Sequence, residues 1–252
     1  MKKKILAIVL CVAMLAIAIV GGTMAYFTDT DSVQNVMTTG KVNISQFEQE
    51  RDASGNLIDY VQNKALMPMV DTRTDKTVNP VVNGYFDPAM NNVVDKIITV
   101  KNDAPTGAIN QDAYVRTIIA FETNTEYEAG TSSVLRDGKT IFNTYIGTLG
   151  DFELLSRETI TIDGVEYVLA VKIYDNALVP QEVSTPSLKQ IFLSPQANNE
   201  VELLFGDSYT ILAVSQATQT AGFSSAEEAL NEAFGNLETI DEAKLIEWLN
   251  IS

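Results

Sequence analysis

Residues 159–174 read TITIDGVEYVLAVKIY and place two runs of mostly β-branched and aromatic residues on either side of Asp163-Gly164. Residues of these types favour strands. A two-residue Asp-Gly loop takes the positive φ angles that match the twist of two paired strands. The stretch therefore predicts an antiparallel hairpin with 159–162 and 165–174 as its two strands.

The same alternation of apolar and polar residues continues along much of the chain and predicts an all-β domain. Further candidate strands are 41–47, 94–102, 113–122, 140–145, 188–193, 200–204 and 209–217. A single open sheet of nine or ten strands would leave one apolar face in water. We therefore expect residues 41–223 to form a jelly-roll-like sandwich of two antiparallel sheets.

A polar stretch at 48–92 interrupts this pattern and contains Pro68, Pro80 and Pro88. Proline lacks the backbone N–H that a central strand needs. The stretch predicts long connections with one or two short strands and a turn at 54–56, rather than a linker between two domains.

The C-terminal residues 224–252 change to helical patterning. Ser225 with Glu228, and Thr239 with Glu242, have the spacing of a capping box, which satisfies free backbone amides at the start of a helix. The first helix is expected to end at Gly235. The second carries an apolar stripe that we expect to pack onto the sandwich rather than to bind a partner: Ile240, Leu245, Trp248 and Leu249.

The first 25 residues have the organisation of a secretory signal peptide. Three lysines at 2–4 precede the apolar run 5–20, and small residues follow at 21–25. This pattern predicts cleavage between Ala25 and Tyr26. The alternative is an uncleaved transmembrane anchor, since an apolar stretch of about 20 residues is long enough to span a bilayer. With either reading, the positive-inside rule places the rest of the chain outside the cytoplasm.

Composition narrows the range of partners and reactions. The chain has a net charge of −16, and cleavage would leave 14 basic and 33 acidic side chains, a net charge of −19. Such a surface repels nucleic acid and anionic membranes. The chain has no histidine, and its single cysteine, Cys11, lies in the apolar leader. The usual general base, the commonest zinc ligand and disulfide chemistry are therefore missing from the mature chain.

Motifs for catalysis or for cofactor binding are absent from the sequence. It contains no HExxH, no glycine-rich phosphate loop and no GxSxG elbow. Asp29-Thr30-Asp31 lacks the glycine and the distal glutamate of a calcium loop. Arg116 lies in a strand pattern and is predicted to face outward or to form an ion pair. We predict no catalytic, cofactor-binding or metal-binding residue.

Three stretches carry a resemblance to a known family. They are GGTMAYFTD at 21–29 followed by TGKVNI at 39–44, KIITVKN at 96–102 leading into AYVR at 113–116, and AVSQATQTAGF at 213–223 before the acidic helix. Together they resemble the TasA/camelysin family of secreted proteins, which are processed by the signal peptidase SipW. Residues 48–92 have no counterpart in that resemblance.

The resemblance implies a jelly-roll subunit that assembles into extracellular biofilm-matrix fibres. The implied partners are other copies of the chain, a SipW-type signal peptidase during export, and accessory matrix or cell-surface anchor proteins. The implied mechanism is strand exchange, in which residues 26–40 of one subunit complete a sheet of the next. Apolar contacts are available in this assembly segment at Phe27, Val33, Val36 and Met37.

Three alternatives remain open at this stage. The assembly segment folds back as an edge strand of its own subunit instead of exchanging. Camelysin relatives suggest a secreted metallopeptidase, although carboxylates would then have to hold zinc without histidine. A monomeric surface adhesin is the third alternative.

Overall fold

The computed structural model describes residues 36–38, 42–62, 64, 66–109, 111–123, 133–135, 139–141, 146–195 and 209–249. This part of the chain is an antiparallel β-sandwich with two C-terminal helices, which confirms the predicted all-β class. Residues 1–35, with the predicted cleavage site at Ala25 and Tyr26 and the assembly residues Phe27 and Val33, lie outside the described residues. The predicted strand at 200–204 also lies outside them.

Two main sheets make up the sandwich. The six-stranded sheet contains β1 (Val36–Thr38), β9 (Ala113–Thr123), β13 (Glu153–Leu154), β14 (Ile160–Ile162), β15 (Val165–Ile173) and β17 (Ile211–Gln219). Its order is β1-β17-β9-β15-β13, with β14 also paired to β15. The seven-stranded sheet contains β2 (Ile44–Arg51), β3 (Leu57–Asp59), β8 (Val93–Asn102), β10 (Ser133–Leu135), β11 (Lys139–Ile141), β12 (Ile146–Gly150) and β16 (Leu188–Leu193). Its order is β10-β11-β12-β16-β8-β2-β3.

The hairpin predicted from residues 159–174 is confirmed. Ile162 lies opposite Val165, and β14 and β15 pair antiparallel. Asp163 has a φ of 50° and Gly164 a φ of 83°. Positive φ at both loop positions is the geometry that an Asp-Gly turn between twisted strands requires.

The six-stranded sheet is buried on both faces, because its central strand β9 is apolar on both sides. Ile119 and Phe121 pack against the seven-stranded sheet. Ile118 and Ala120 face the opposite way and pack beneath the C-terminal helices. Alternation along a strand sends successive side chains to opposite faces. The molecule therefore has three layers: the seven-stranded sheet, the six-stranded sheet and the helices.

The helices are α1 (Ala226–Phe234) and α2 (Glu242–Leu249). Ser225 caps α1 as predicted by accepting a hydrogen bond from the Glu228 backbone N–H, and α1 ends at Gly235, which has a φ of 95°. The predicted cap of α2 is wrong. Asp241 takes that place, since its carboxylate accepts a hydrogen bond from the Ala243 N–H.

The apolar stripe of α2 packs onto the sheet as expected. Leu245, Trp248 and Leu249 are buried in the same cluster as residues of β9 and β15, and Ile240 packs against that cluster.

Most predicted strands are present with shifted ends, but two regions differ from the prediction. The strand predicted at 140–145 overlaps β11 at 140–141, its residues 142–145 lie outside the described residues, and β12 begins beyond the predicted range. Residues 48–92 contain more strand than expected: the end of β2, β3, and the short strands β4 (Val70–Asp71), β5 (Val81–Val82), β6 (Tyr85–Phe86) and β7 (Met90–Asn91). These short strands pair as β4-β7 and β5-β6. Two-residue pairs leave almost no periodicity in the sequence, so alternation did not reveal them.

Replacing Gly164 should test the hairpin directly. The variant Gly164→Ala places a Cβ on a residue with a φ of 83°, which costs about 1 kcal/mol because of the clash of Cβ with the backbone in the left-handed region. Urea unfolding should show this loss of stability. Asp163→Gly is the matched control and should leave stability nearly unchanged, because glycine tolerates positive φ. Equal midpoints for natural protein and Gly164→Ala would contradict the assigned turn.

Candidate assembly site

The N-terminal end of the described chain lies on the outer edge of β17. There β1 pairs with β17 in parallel, with Val36 opposite Ser215, Met37 opposite Gln216 and Thr38 opposite Ala217. The other strand pairs between named elements are antiparallel. Two predicted assembly residues, Val36 and Met37, therefore lie on an edge of their own chain, which is the fold-back arrangement for these three residues.

The register shows which backbone groups of β17 face outward. Thr210 lies just before β17, and its carbonyl accepts a hydrogen bond from the Glu122 N–H over 3.1 Å. Backbone groups point to alternate sides along a strand. The even-numbered residues of β17 therefore point toward β9, whereas odd-numbered residues such as Ile211, Ala213 and Ser215 point toward the outer edge.

Only part of this outer edge is covered by strand pairing. β17 has nine residues, and β1 lies opposite three of them. In the described part of the chain, Ile211 and Ala213 have no strand partner on the outer side. An unpaired row of N–H and C=O groups is a template for another strand.

A buried glutamine from the other sheet reaches this edge. Gln46, on β2, donates through Nε2 to the Ala213 carbonyl over 3.3 Å and accepts through Oε1 from the Ser215 hydroxyl over 2.6 Å. The Ser215 oxygen lies 3.0 Å from the Thr117 hydroxyl. Because Ser215 uses its single proton for Gln46, Thr117 is the donor in that contact. These bonds tie the two sheets together beside β1.

The surface next to Gln46 carries ion pairs. Glu48 and Glu50 lie on the same face of β2 as Gln46, because strand residues alternate between faces. Lys96 contacts Glu48 over 2.5 Å, and Lys64 contacts Glu50 over 2.5 Å. The hydrogen bond from Lys64 holds the pKa of Glu50 below its usual value, against an opposing effect of burial.

Arg116 supports the same edge from the helix side, and its predicted position was wrong. It is 1% exposed. Its guanidinium donates to Gln216 Oε1 over 2.7 Å, to Asn231 Oδ1 over 3.2 Å and to the Gly235 carbonyl over 3.1 Å. These acceptors are amide and backbone oxygens rather than carboxylates. Burial lowers the pKa of Arg116 to about 10, so the group stays charged at neutral pH.

The position of Arg116 links the edge to the helices. Gln216 is the register partner of Met37, and Gly235 follows the C-terminal end of α1, where free carbonyls attract a cation. The ring of Phe234 lies 5.8 Å from the guanidinium. Arg116 therefore connects β9, β17 and α1 directly behind the strand that pairs with β1.

A cleft of 590 Å³ lies elsewhere, between the 48–92 stretch and the seven-stranded sheet. Its main polar group is an ion pair in which Arg51 contacts Asp95 over 2.6 and 2.8 Å. Gln190 donates to the same carboxylate over 2.8 Å and accepts from the Phe86 N–H over 2.7 Å. These groups satisfy one another and hold the stretch in place.

No family model, no curated protein and no solved structure matches the chain. In the described residues, no group of three His, Cys, Asp or Glu side chains is placed to hold a metal ion. Neither described helix has the length and apolar character needed to cross a membrane.

Removing the Arg116 guanidinium should destabilise the sandwich. Arg116→Met leaves three buried acceptors without their donor, and we expect a loss of about 3 kcal/mol in the free energy of unfolding, since each lost bond in such a site costs about 1–3 kcal/mol. Chemical denaturation measures this loss in the free energy of unfolding. Lys244→Met is the matched control, because Lys244 is exposed on α2, and it should change stability by less than about 0.5 kcal/mol. Similar losses in the two variants would contradict the role given to Arg116.

Proposed function

We propose that this chain is an exported structural subunit whose leading segment, residues 26–40, pairs with the β17 edge of a neighbouring copy to build an extracellular fibre. The observation that supports this proposal most is the parallel pairing of Val36–Thr38 with β17, at a sheet edge that is only partly covered in the described residues. The organisation of the leader and the family resemblance support export and fibre formation.

Exchange between copies preserves the contacts made within one copy. A segment that pairs with its own β17 makes the same backbone hydrogen bonds when it pairs with the β17 of an identical neighbour, which is the principle of domain swapping. Five residues, 39–43, connect β1 to β2, which lies in the other sheet. This connection joins the C-terminal end of β1, so it leaves the N-terminal side of the segment unconstrained.

The geometry of such a contact leads to a filament. The donor segment and the acceptor edge are different surfaces, so the contact between copies is heterologous. Each copy that accepts a segment still offers its own segment to the next. Repetition therefore extends the assembly without closing it. In the precursor, the apolar leader is joined directly to the N-terminal end of residues 26–40. We infer that cleavage after Ala25 frees this segment for assembly.

Cysteine variants, with one or both positions substituted, distinguish exchange between copies from fold-back within one copy. Val36 and Ser215 are opposite each other in the register, and neighbouring strands lie about 4.8 Å apart, within the Cα spacing that a disulfide tolerates. Mature Val36→Cys chains are mixed with mature Ser215→Cys chains and oxidised after assembly. Exchange predicts covalent dimers in the mixture and a ladder of covalent oligomers from the doubly substituted chain. Non-reducing electrophoresis measures both.

The control mixture pairs Val36→Cys with Ile109→Cys, because Ile109 is 84% exposed and lies outside β17. It should give only background dimers. If the doubly substituted chain closes internally as a monomer and the mixture stays uncrosslinked, exchange is ruled out. Deleting residues 26–40 and imaging the secreted protein by electron microscopy is an independent check, and fibres of unchanged length and yield would also refute the proposal.

Assembly should increase as the pH is lowered from 8 to 4. Copies of net charge −19 repel one another, and carboxylates with ordinary pKa values near 4 lose this charge in acid. Asp95 keeps its ion pair with Arg51 to a lower pH than an ordinary carboxylate would. Burial raises the pKa of Asp95, but hydrogen bonds from Arg51 and Gln190 outweigh burial, so the pKa is lowered. A lowered carboxylate pKa contributes stability at neutral pH that is lost only below the usual pKa. The fold should therefore persist while repulsion between copies falls.

Added divalent cations should also increase assembly. Turbidity that stays flat over this pH range would count against the prediction.

A further inference from the structure

The Ala213 carbonyl is the outward acceptor of β17 that comes just before the residues paired with β1. Val36, the first residue of β1, lies opposite Ser215. Outward backbone groups belong to every second residue of a strand, so those of Ala213 precede those of Ser215. Ala213 is 3% exposed, and a buried carbonyl without a donor costs about as much free energy as a lost hydrogen bond. This carbonyl therefore needs a donor from the protein.

Gln46 supplies that donor from the facing sheet. Its Nε2 lies 3.3 Å from the Ala213 carbonyl oxygen, and the residue is 5% exposed. A carbonyl only accepts hydrogen bonds, so the amide presents its NH2 group to Ala213 and its oxygen to Ser215. The side chain of Gln46 thus uses the acceptor that a backbone N–H of a paired strand would use.

The two ends of the Gln46 amide are held with different strength. Oε1 accepts from the Ser215 hydroxyl over 2.6 Å, and the Ser215 oxygen lies 3.0 Å from the Thr117 hydroxyl. The 3.3 Å contact of Nε2 is longer than the usual N–H···O distance of about 2.7–3.2 Å. Gln46 is therefore anchored at Ser215 and bonded only weakly to Ala213, and the bond to Ala213 is the one that a competing donor replaces.

We propose that Gln46 is a placeholder that satisfies the Ala213 carbonyl until a strand pairs with that part of the β17 edge. This inference rests on the proposed function, in which the strand comes from residues 26–40 of a neighbouring copy. The hydrogen bonds of a parallel pair are evenly spaced along the strands. A strand that continues the register of β1 upstream of Val36 therefore brings its next backbone N–H to the Ala213 carbonyl.

The placeholder contributes more to the open edge than to the paired edge. At the open edge, Gln46 removes the whole penalty of an unsatisfied buried carbonyl. At the paired edge, the incoming N–H already satisfies this carbonyl, so Gln46 can add only a second and weaker bond. A group that interacts better with one state shifts the equilibrium toward that state. Gln46 therefore stabilises the subunit before assembly and opposes assembly itself.

Replacing Gln46 should have two opposite effects. Gln46→Met keeps the length of the side chain and removes both of its polar ends, so the unassembled mature chain should unfold at a lower urea concentration. After fibres are pelleted at fixed pH and salt, the concentration of mature chain left in the supernatant should be about three- to tenfold lower than for the natural chain. The Ser215 hydroxyl loses its acceptor in both states, so this loss cancels in the comparison. Electron microscopy checks that the pellets contain fibres.

The matched control is Gln190→Met, which makes the same substitution at a glutamine that is 3% exposed. Gln190 bonds to Asp95 and to the Phe86 N–H, and neither belongs to the six-stranded sheet. This variant should also unfold at a lower urea concentration but should leave the supernatant concentration unchanged. Gln46→Asn is the milder variant if Gln46→Met does not fold. It is one methylene shorter and loses the contact with Ala213 when bonded to Ser215, so it should change assembly in the same direction.

The outcomes separate the placeholder from the proposed function. If natural chains form fibres and the Gln46 variants leave an unchanged or higher supernatant concentration, the placeholder role is refuted and the proposed function stands. An equal fall for Gln190→Met would also refute it, because general destabilisation would then explain the effect. If Val36→Cys and Ser215→Cys chains do not crosslink after mixing, the proposed function fails and the placeholder role fails with it.

Discussion

Burial of both faces of the six-stranded sheet is the constraint on which the rest of this structure depends. The seven-stranded sheet covers one face and the two helices cover the other. A sheet enclosed in this way has no apolar face left to offer another chain. Its backbone can meet a partner only at an edge, where unpaired N–H and C=O groups remain. The sheet has two such edges, one at β1 and β17 and one at β13 and β14, and residues 36–38 of the predicted assembly segment lie at the first.

This edge is maintained by polar contacts on both of its sides. Gln46 reaches Ala213 and Ser215 from the seven-stranded sheet, and Arg116 holds Gln216 from the helix side. Buried polar networks are costly when a member is lost, since the remaining groups stay unsatisfied. The network therefore fixes the position of β17 beside β1, and Gln46 occupies one of its outward groups, the Ala213 carbonyl. A rigid acceptor edge reduces the ordering cost of adding a strand.

Sequence patterns predicted the turns and helix ends that depend on contacts between residues a few positions apart. The turn at Asp163-Gly164, the cap at Ser225 and the end of α1 at Gly235 depend on residues within a few positions of each other. Arg116 shows where this reasoning failed. It has the same parity as Ile118 and Ala120, which would have indicated a buried face, but its acceptors Asn231 and Gly235 are more than 100 residues away.

The contact between β1 and β17 was predictable only in part for the same reason. Val36 and Met37 were assigned to an extended segment, but a parallel register with Ser215–Ala217 depends on how two distant segments meet. Gln46 gave a weak signal, because it follows Val42 and Ile44 on the inward side of the strand and breaks their apolar pattern. Its acceptor Ala213 becomes evident only once the two sheets are stacked.

Net charge opposes the proposed contact at β17. Repulsion between acidic copies is screened beyond about 8 Å at physiological ionic strength, so it is strongest when the copies meet. Backbone pairing along the β17 edge has to outweigh it, and each additional residue that pairs adds to the gain without adding charge. The proposed contact is heterologous, so its length of pairing decides whether repetition can extend an assembly against that repulsion.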